Sequence, residues 1–526
     1  MKKKQSFMQG VMILMLSQLI IKAVGLIYKV YLTNKEGFGD TGNAIFSSGF
    51  QVYAIFLAVT SIGVPNAISQ LISSKVAVGD NKGAYRIFKI AISIFGFVGF
   101  VGTAIMFFNS KIIATTYLGI PEAEIIIIAL APSVFIVAIS SVLRGYFNGK
   151  EKVSITAHSQ SIEQIIKTIL TIILVEIVAK VWANNTIVMV GMAAVVSTLS
   201  TFVSFIYLYI VYKKNKKEIW KDVITSKYQQ KESIKTIIKN ILYVSIPIAI
   251  TSLLSTAHKS IDAVTIVNTI SKFMPLEEAK FQYGILTGKV ESLVVLPYSF
   301  NIAFSINLIP AIAASKARGE MESAIKRINF SMIATILISL PCMAVFGVFS
   351  EEILKLLFPN AFLGETMLSI CSISIVFVAL TQTIGGILQG LKRVKEMVIA
   401  IGIGAVVKLI LNLVLLQIES LNIYGAIIST ITSHIIIFII SLFYLKKYIP
   451  IKFNIIKFIV KPVLAALLMI YATMFTYKIG IFGVQSINFV ISLLIGMAVY
   501  IISTIPLKIL SKEEINMIPY INKLKK

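Results

Sequence analysis

Apolar stretches long enough to cross a bilayer follow one another along the whole chain, and no other feature constrains its fold as strongly. A hydrocarbon core about 30 Å thick needs about 20 apolar helical residues. With no water there to serve the backbone, each crossing must satisfy its own hydrogen bonds. The 526 residues are 57% hydrophobic and only 14% charged, a balance foreign to a soluble domain of this length. The expected fold is an all-α polytopic membrane protein with fourteen spans. They lie near 8–32, 43–73, 84–109, 123–147, 154–179, 187–212, 240–268, 284–313, 324–349, 364–390, 396–418, 423–445, 458–478 and 484–508.

Charge tests the count. The formal net charge is +25, which in a soluble protein would suggest nucleic acid. Here most basic residues sit in short loops on one side, so the positive-inside rule is the better reading. It puts both termini in the cytoplasm. The segment after "MKKKQSFMQG" is too long and too lysine-bearing for a cleaved signal, and is read as a retained first helix. The longest loop, 213–240, is strongly basic: either a contact for anionic lipid or a solvated linker that fixes topology. Cys342 and Cys371 fall inside spans, so neither a disulfide framework nor a cysteine metal site is expected. The three histidines are scattered, and no paired carboxylates or metal-ligand spacing appear. No enzyme, metal or cofactor is therefore expected. A GxxxxGK[ST] loop is absent, which argues against direct ATP use.

The chain also repeats itself. "RGYFNGKEKV" (144–153) aligns with "GGILQGLKRV" (385–394) at an offset that lays Lys167 on Lys408. With a one-residue slip, "SSKVAVGDNKGAYR" (73–86) falls over "ASKARGEMESAIK" (314–326). The matching loops are six spans apart, an even number, so the two copies share one orientation. The expected organisation is a six-helix lobe in 1–212, a basic linker in 213–239, a second six-helix lobe in 240–447, and an extra helix pair with a tail in 448–526. Paired lobes of this kind suit alternating access.

"KKKQSFMQGVMILMLSQLIIKAVGLIYKVYL", "SIGVPNAISQLISSKVAVGDNKGAYRIFK", "LRGYFNGKEKVSITAHSQSIEQIIK" and "LPYSFNIAFSINLIPAIAAS" resemble the stage V sporulation protein B branch of the polysaccharide-flippase superfamily. That branch is close in kind to the MurJ-type lipid II flippases. The resemblance covers nearly the whole chain in order, and "LRGYFNG" followed by "SQSIEQ" is its most specific part. It implies a two-lobe transporter in the bacterial cell membrane that moves an undecaprenyl-pyrophosphate-linked glycan to the outer leaflet. Spans 13 and 14 would then hold the lipid tail.

Charges inside spans are costly, ~3 kcal/mol or more at a helix centre, and mark the candidate site. Lys22 and Lys29 lie two helical turns apart on one face, placed to meet a pyrophosphate; Lys29 also has room to snorkel outward. The MurJ-type pattern has basic residues in helices 1 and 8 and an aspartate after helix 1, matched here by Lys22, Lys29, Lys289 and Asp40. Its helix-2 arginine has no match: span 2 offers only Gln51 and Asn66. Lys289 reads as a cavity cation or an interfacial anchor, and Asp40 as a gate or a turn former. Glu163 and Lys167, four apart with Glu first, read as an in-helix pair or a switch. Asp262, three after Lys259, has the same two readings. Arg144 is either a phosphate contact or a topology signal.

Some MurJ-type members place sodium among helices 7, 11 and 12, where Asp262 and Asn412 match loosely and Lys408 offers a built-in cation instead. Sodium is therefore not the expected partner; the charges within the spans leave coupling to the membrane potential or to another monovalent cation open, with membrane lipids as further partners and no nucleic acid. Among the prolines within spans, Pro297 in "LPYSF" (296–300) is the best hinge candidate. A multidrug antiporter of the same superfamily, a membrane glycosyltransferase and a non-transporting scaffold are weaker alternatives. The first would want a carboxylate in helix 1, the second a large acidic loop, and the third has no use for buried charge.

Overall fold

The computed structural model describes residues 7–226, 232–297, 312, 320–391, 393–450, 454–480, 483–511 and 514. Among these, every regular element is helical. In chain order they are α1 (Phe7–Asn34), α2 (Gly39–Ala77), α3 (Asn81–Phe108), α4 (Ala123–Gly149), α5 (Val153–Val181), α6 (Thr186–Ile224) and α7 (Ile234–Ile270). There follow α8 (Leu276–Ile285), α9 (Met321–Val348), α10 (Glu365–Gly390), α11 (Val394–Leu415), α12 (Tyr424–Tyr448), α13 (Ile456–Ile479) and α14 (Gln485–Thr504). Eleven helices among the described residues are long and apolar enough to cross a membrane. α1 and α5 match two further expected spans, and half of the eighth lies outside the described residues, as does most of "LPYSF".

The helices start where the sequence provides caps. Asp80 accepts from the amide of Gly83 at 2.8 Å to open α3, and Asn185 accepts from Val188 to open α6. Each satisfies an orphan donor of a first turn. A π-turn at Ala58–Ile62 interrupts α2, and Pro132, Pro247 and Pro341 lie inside α4, α7 and α9.

The chain gathers into two compact units: Met1–Gly288 with Asn412–Ile423, and Lys289–Leu411 with Tyr424–Lys526. In the first, α2, α3 and α6 pack around α4, α1 packs on α5, and α8 packs on α2. Small residues make this close approach possible, as membrane helices require. A Cβ on Gly145 would lie 2.8 Å from Ile68 Cβ, and one on Gly149 as close to Ile72. The two glycines of "RGYFNG" thus seat the second half of α2. One end of this unit is an aromatic cluster of Tyr85, Phe88, Tyr146 and Tyr212, with Phe88 and Tyr146 ring centroids 4.5 Å apart. In the second unit, α9 packs against α10 and α13, and α13 and α14 form a hairpin. Thr335 and Thr383 share a 2.7 Å hydrogen bond between α9 and α10, and Tyr500 donates to the carbonyl of Leu337.

Ahead of the eighth span, Lys280 is buried and paired with Glu122 at 2.9 Å and Glu277 at 2.5 Å. Burial pulls its pKa down, but the two carboxylates outweigh burial and leave it above the ordinary 10.5. A raised lysine pKa adds stability that is complete below 10.5 and fades as pH climbs through the folded-state value. Thermal melts of the parent and a Lys280→Met variant should differ at neutral pH and converge in strong alkali.

Candidate functional site

Within the first unit a cavity of about 270 Å³ opens among α1, α2, α4, α5 and α6. It is lined by Phe50, Tyr53, Arg144, Gln160, Glu163 and Lys167, among others. Arg144 comes from the last turns of α4 and its guanidinium is almost wholly spent on neighbours. Nε donates to Ser159 at 3.0 Å, and Nη2 to Glu163 Oε2 and to Ser204, each at 3.0 Å. Thr201 donates to the other Glu163 oxygen at 3.1 Å. A planar fork with several fixed donors suits such a half-buried carboxylate better than an ammonium does.

The ion pair that forms is therefore Arg144–Glu163, in place of the expected in-helix pair of Glu163 and Lys167. Lys167 turns to a different partner. Its Nζ lies 4.9, 5.4 and 5.7 Å from the ring centroids of Tyr28, Phe50 and Phe46. Aromatic faces stabilise a cation whose neighbouring carboxylate is already paired. One arginine, one glutamate and one lysine leave the cavity with a net positive charge.

The other expected residues fall in separate places. Lys22 is exposed on α1 one residue after the cavity-lining Ile21, and Lys29 is half-buried two turns on. Asp40 sits in the first turn of α2 and is buried, where a carboxylate complements the helix dipole. Gln51 donates to Ser260 at 3.1 Å, and Asn66 is exposed. Lys289, in the second unit, is fully buried and donates to the carbonyl of Ala361 at 2.5 Å. Lys408, also fully buried, donates to Thr430 at 2.5 Å.

Asp262 and Asn412 meet, although 150 residues separate them. Asn412 Nδ2 donates to Asp262 Oδ1 at 2.9 Å and to Thr265 Oγ1 at 2.8 Å. Asn412 Oδ1 is buried with no hydrogen-bond partner among the described residues. A carboxylate, a hydroxyl and an amide group are thus held together in one buried polar cluster. Replacing Asn412 by leucine takes a donor from a buried carboxylate. It should lower stability by about 1–3 kcal/mol, read as a drop in melting temperature in detergent.

The deciding observation is a family model described as "Polysaccharide biosynthesis protein", which matches residues 7–316, more than half of the chain. The chain belongs to the polysaccharide biosynthesis protein family. A second model, MatE, matches residues 284–414. The lipid II flippase MurJ of Bacillus subtilis (strain 168) is 24% identical over 490 residues, 90% of this chain and 89% of that protein. Stage V sporulation protein B of the same organism is 23% identical over 524 residues, 99% of each. A solved lipid II flippase MurJ in an inward closed conformation superposes with a TM-score of 0.70 at 18% identity, covering 94% of this chain and 98% of that one. An inward-facing multidrug resistance MATE transporter of the MOP superfamily gives 0.64 at 14% identity, covering 83% and 98%. This member of the polysaccharide biosynthesis protein family is thus a multi-pass membrane protein whose fold is that of the solved MurJ and MATE structures.

In this family member, sequence reasoning missed the aromatic box of Tyr28, Phe46 and Phe50 around Lys167, and the hydroxyls of Ser159, Thr201 and Ser204 around Arg144 and Glu163. The available signal was weak: Phe46, Phe50 and Tyr53 recur at helical spacing, a pattern that more often means packing than a site.

Proposed function

We propose that the chain is a flippase that moves an undecaprenyl-pyrophosphate-linked peptidoglycan precursor, lipid II, from the inner to the outer leaflet by alternating access. The observation that carries this reading is the end-to-end similarity to a protein named as a lipid II flippase, together with cations rather than carboxylates on the first helix. Lys22 and Lys29 on α1 bind the pyrophosphate, with Lys289 as a further candidate cation. Lysine meets phosphate as a compact point charge. The positive cavity at Arg144, Glu163 and Lys167 keeps cationic compounds out. That separates this chain from a drug antiporter, the reading the MatE match would favour. A flippase for another lipid-linked oligosaccharide would use the same cations, since the pyrophosphate is common to both.

The membrane potential, worth ~2.3 kcal/mol per charge per 100 mV, helps reset the carrier. Where a monovalent cation takes part, Asp262, Thr265 and Asn412 would hold it, adding a charge that ties α7 to α11. Depletion of the resident lipid II flippase in a bacterium tests the substrate. Growth restored by this chain, and lost with Lys22→Ala at equal membrane abundance, is the expected result. No rescue by a well-inserted parent would move the substrate to another lipid-linked glycan.

A further inference from the structure

Helix α6 has 39 residues, about twice what a bilayer crossing needs. Its apolar part ends at Tyr212, and the helix runs on to Ile224. Charge on that extension is segregated. Asp222 accepts from Lys150 at 2.9 Å, and Asn215 and Glu218 accept from Lys152 at 3.3 Å. These residues and buried Ile219 form one wall of a cavity of about 320 Å³ shared with the loop after α4. On the opposite face stand Lys213, Lys216, Lys217 and Lys221, all exposed. None of the four makes an ion pair among the described residues. With Trp220 and Ile224 they line one surface groove.

The helical period fixes where this face points. Phe202, Ile206, Tyr209 and Ile210 are exposed large apolar residues on α6. Steps of three or four residues carry their stripe on through Lys213, Lys216 and Lys217 to Trp220 and Ile224. One face therefore runs from side chains fit for acyl chains straight into four lysines. Trp220 packs on Tyr85, with ring centroids 5.7 Å apart, yet stays 42% exposed. That is the disposition of a ring at a membrane–water boundary.

We propose that this face binds anionic phospholipid headgroups of the adjacent leaflet, with the lysines on the phosphates and Trp220 at the boundary. The inward acids leave the outward lysines without an ion-pair partner among the described residues, and an anionic leaflet supplies the counter-charge. An acidic protein partner would meet the same lysines but has no need of the apolar stripe that leads into them. This inference holds whatever substrate the chain moves.

The chain has two tryptophans, so a Trp182→Phe variant makes Trp220 the only reporter. The full-length protein is placed in vesicles where either phosphatidylglycerol or phosphatidylcholine, at equal mole fraction, carries brominated chains. Trp220 should be quenched at least about fivefold more by the anionic lipid, given a preference of that size from even one surface lysine. Glutamine at positions 213, 216, 217 and 221 should abolish the difference, and arginine there should keep it. Equal quenching by the two lipids, or none by either, would overturn the proposal. So would a difference that survives the four glutamines, because the anionic lipid would then be held elsewhere.

Discussion

Arg144→Ala is expected to destabilise the first unit by about 3 kcal/mol, as loss of a charged donor shared by several buried or half-buried acceptors does. Arg144 is 8% exposed, and its loss strips Glu163, Ser159 and Ser204 of their shared donor. Glu163 would keep Thr201 as its hydrogen-bond donor. Arg144→Lys should recover only part of the loss, since an ammonium cannot hold Ser159, Glu163 and Ser204 with one rigid fork. Glu163→Gln separates charge from shape. It keeps an acceptor for Arg144 while leaving the guanidinium uncompensated, and should fall between parent and alanine variant. Thermal unfolding of purified protein in detergent reads all three. A melting temperature for Arg144→Ala equal to the parent's would show that the network carries no stability.

Gly284→Val should be nearly as damaging, for a steric reason. A Cβ at Gly284 would lie 1.8 Å from the carbonyl oxygen of Asp40 and 2.6 Å from its carbon. One at Gly288, a turn later, would lie 2.6 Å from Asn43 Nδ2. The obstacle at Gly284 is backbone, which cannot swing aside as a side chain can. Helix α8 must then move off α2, at a cost of about 3 kcal/mol. Gly96→Ala is the matched control: a Cβ there meets nothing within 4 Å. Since alanine favours helix over glycine by ~1 kcal/mol, that variant should melt at or slightly above the parent. Equal melting of Gly284→Val and Gly96→Ala would contradict the close seating of α8 on α2.

The order of helices was legible because hydropathy is a local property. Residues 84–109, expected as a span, form a helix over Asn81–Phe108, and residues 123–147 form one over Ala123–Gly149. The special status of "LRGYFNG" was also legible, though not its cause: two glycines that admit Ile68 and Ile72, and an arginine that reaches another helix. The partners of buried charges were not. Spacing on one helix suggested Glu163 for Lys167, but Arg144 presents a better-shaped donor from α4 and takes the carboxylate. Lys167 then falls to rings from α1 and α2, a neighbourhood no local pattern encodes. Its counterpart in the repeat, Lys408, meets a threonine instead. The two lysines that the sequence alignment pairs are thus held by different chemistry. Asp262 and Asn412, 150 residues apart, meet through a hydrogen bond that no local pattern encodes.

The most direct test of the account is leaflet transfer in sealed vesicles bearing the purified chain and a fluorescent undecaprenyl-pyrophosphate-linked glycan. An impermeant reductant destroys label on the outer leaflet, so the rate of further loss reports flipping. The parent should transfer the lipid. The Lys22→Ala, Lys29→Ala double variant, matched for amount and melting temperature, should be slower by about tenfold or more, as loss of ~1.4 kcal/mol of phosphate binding would produce. Equal rates in parent and double variant would remove the lysines from the pyrophosphate site. No transfer by a folded parent would contradict the flippase reading itself.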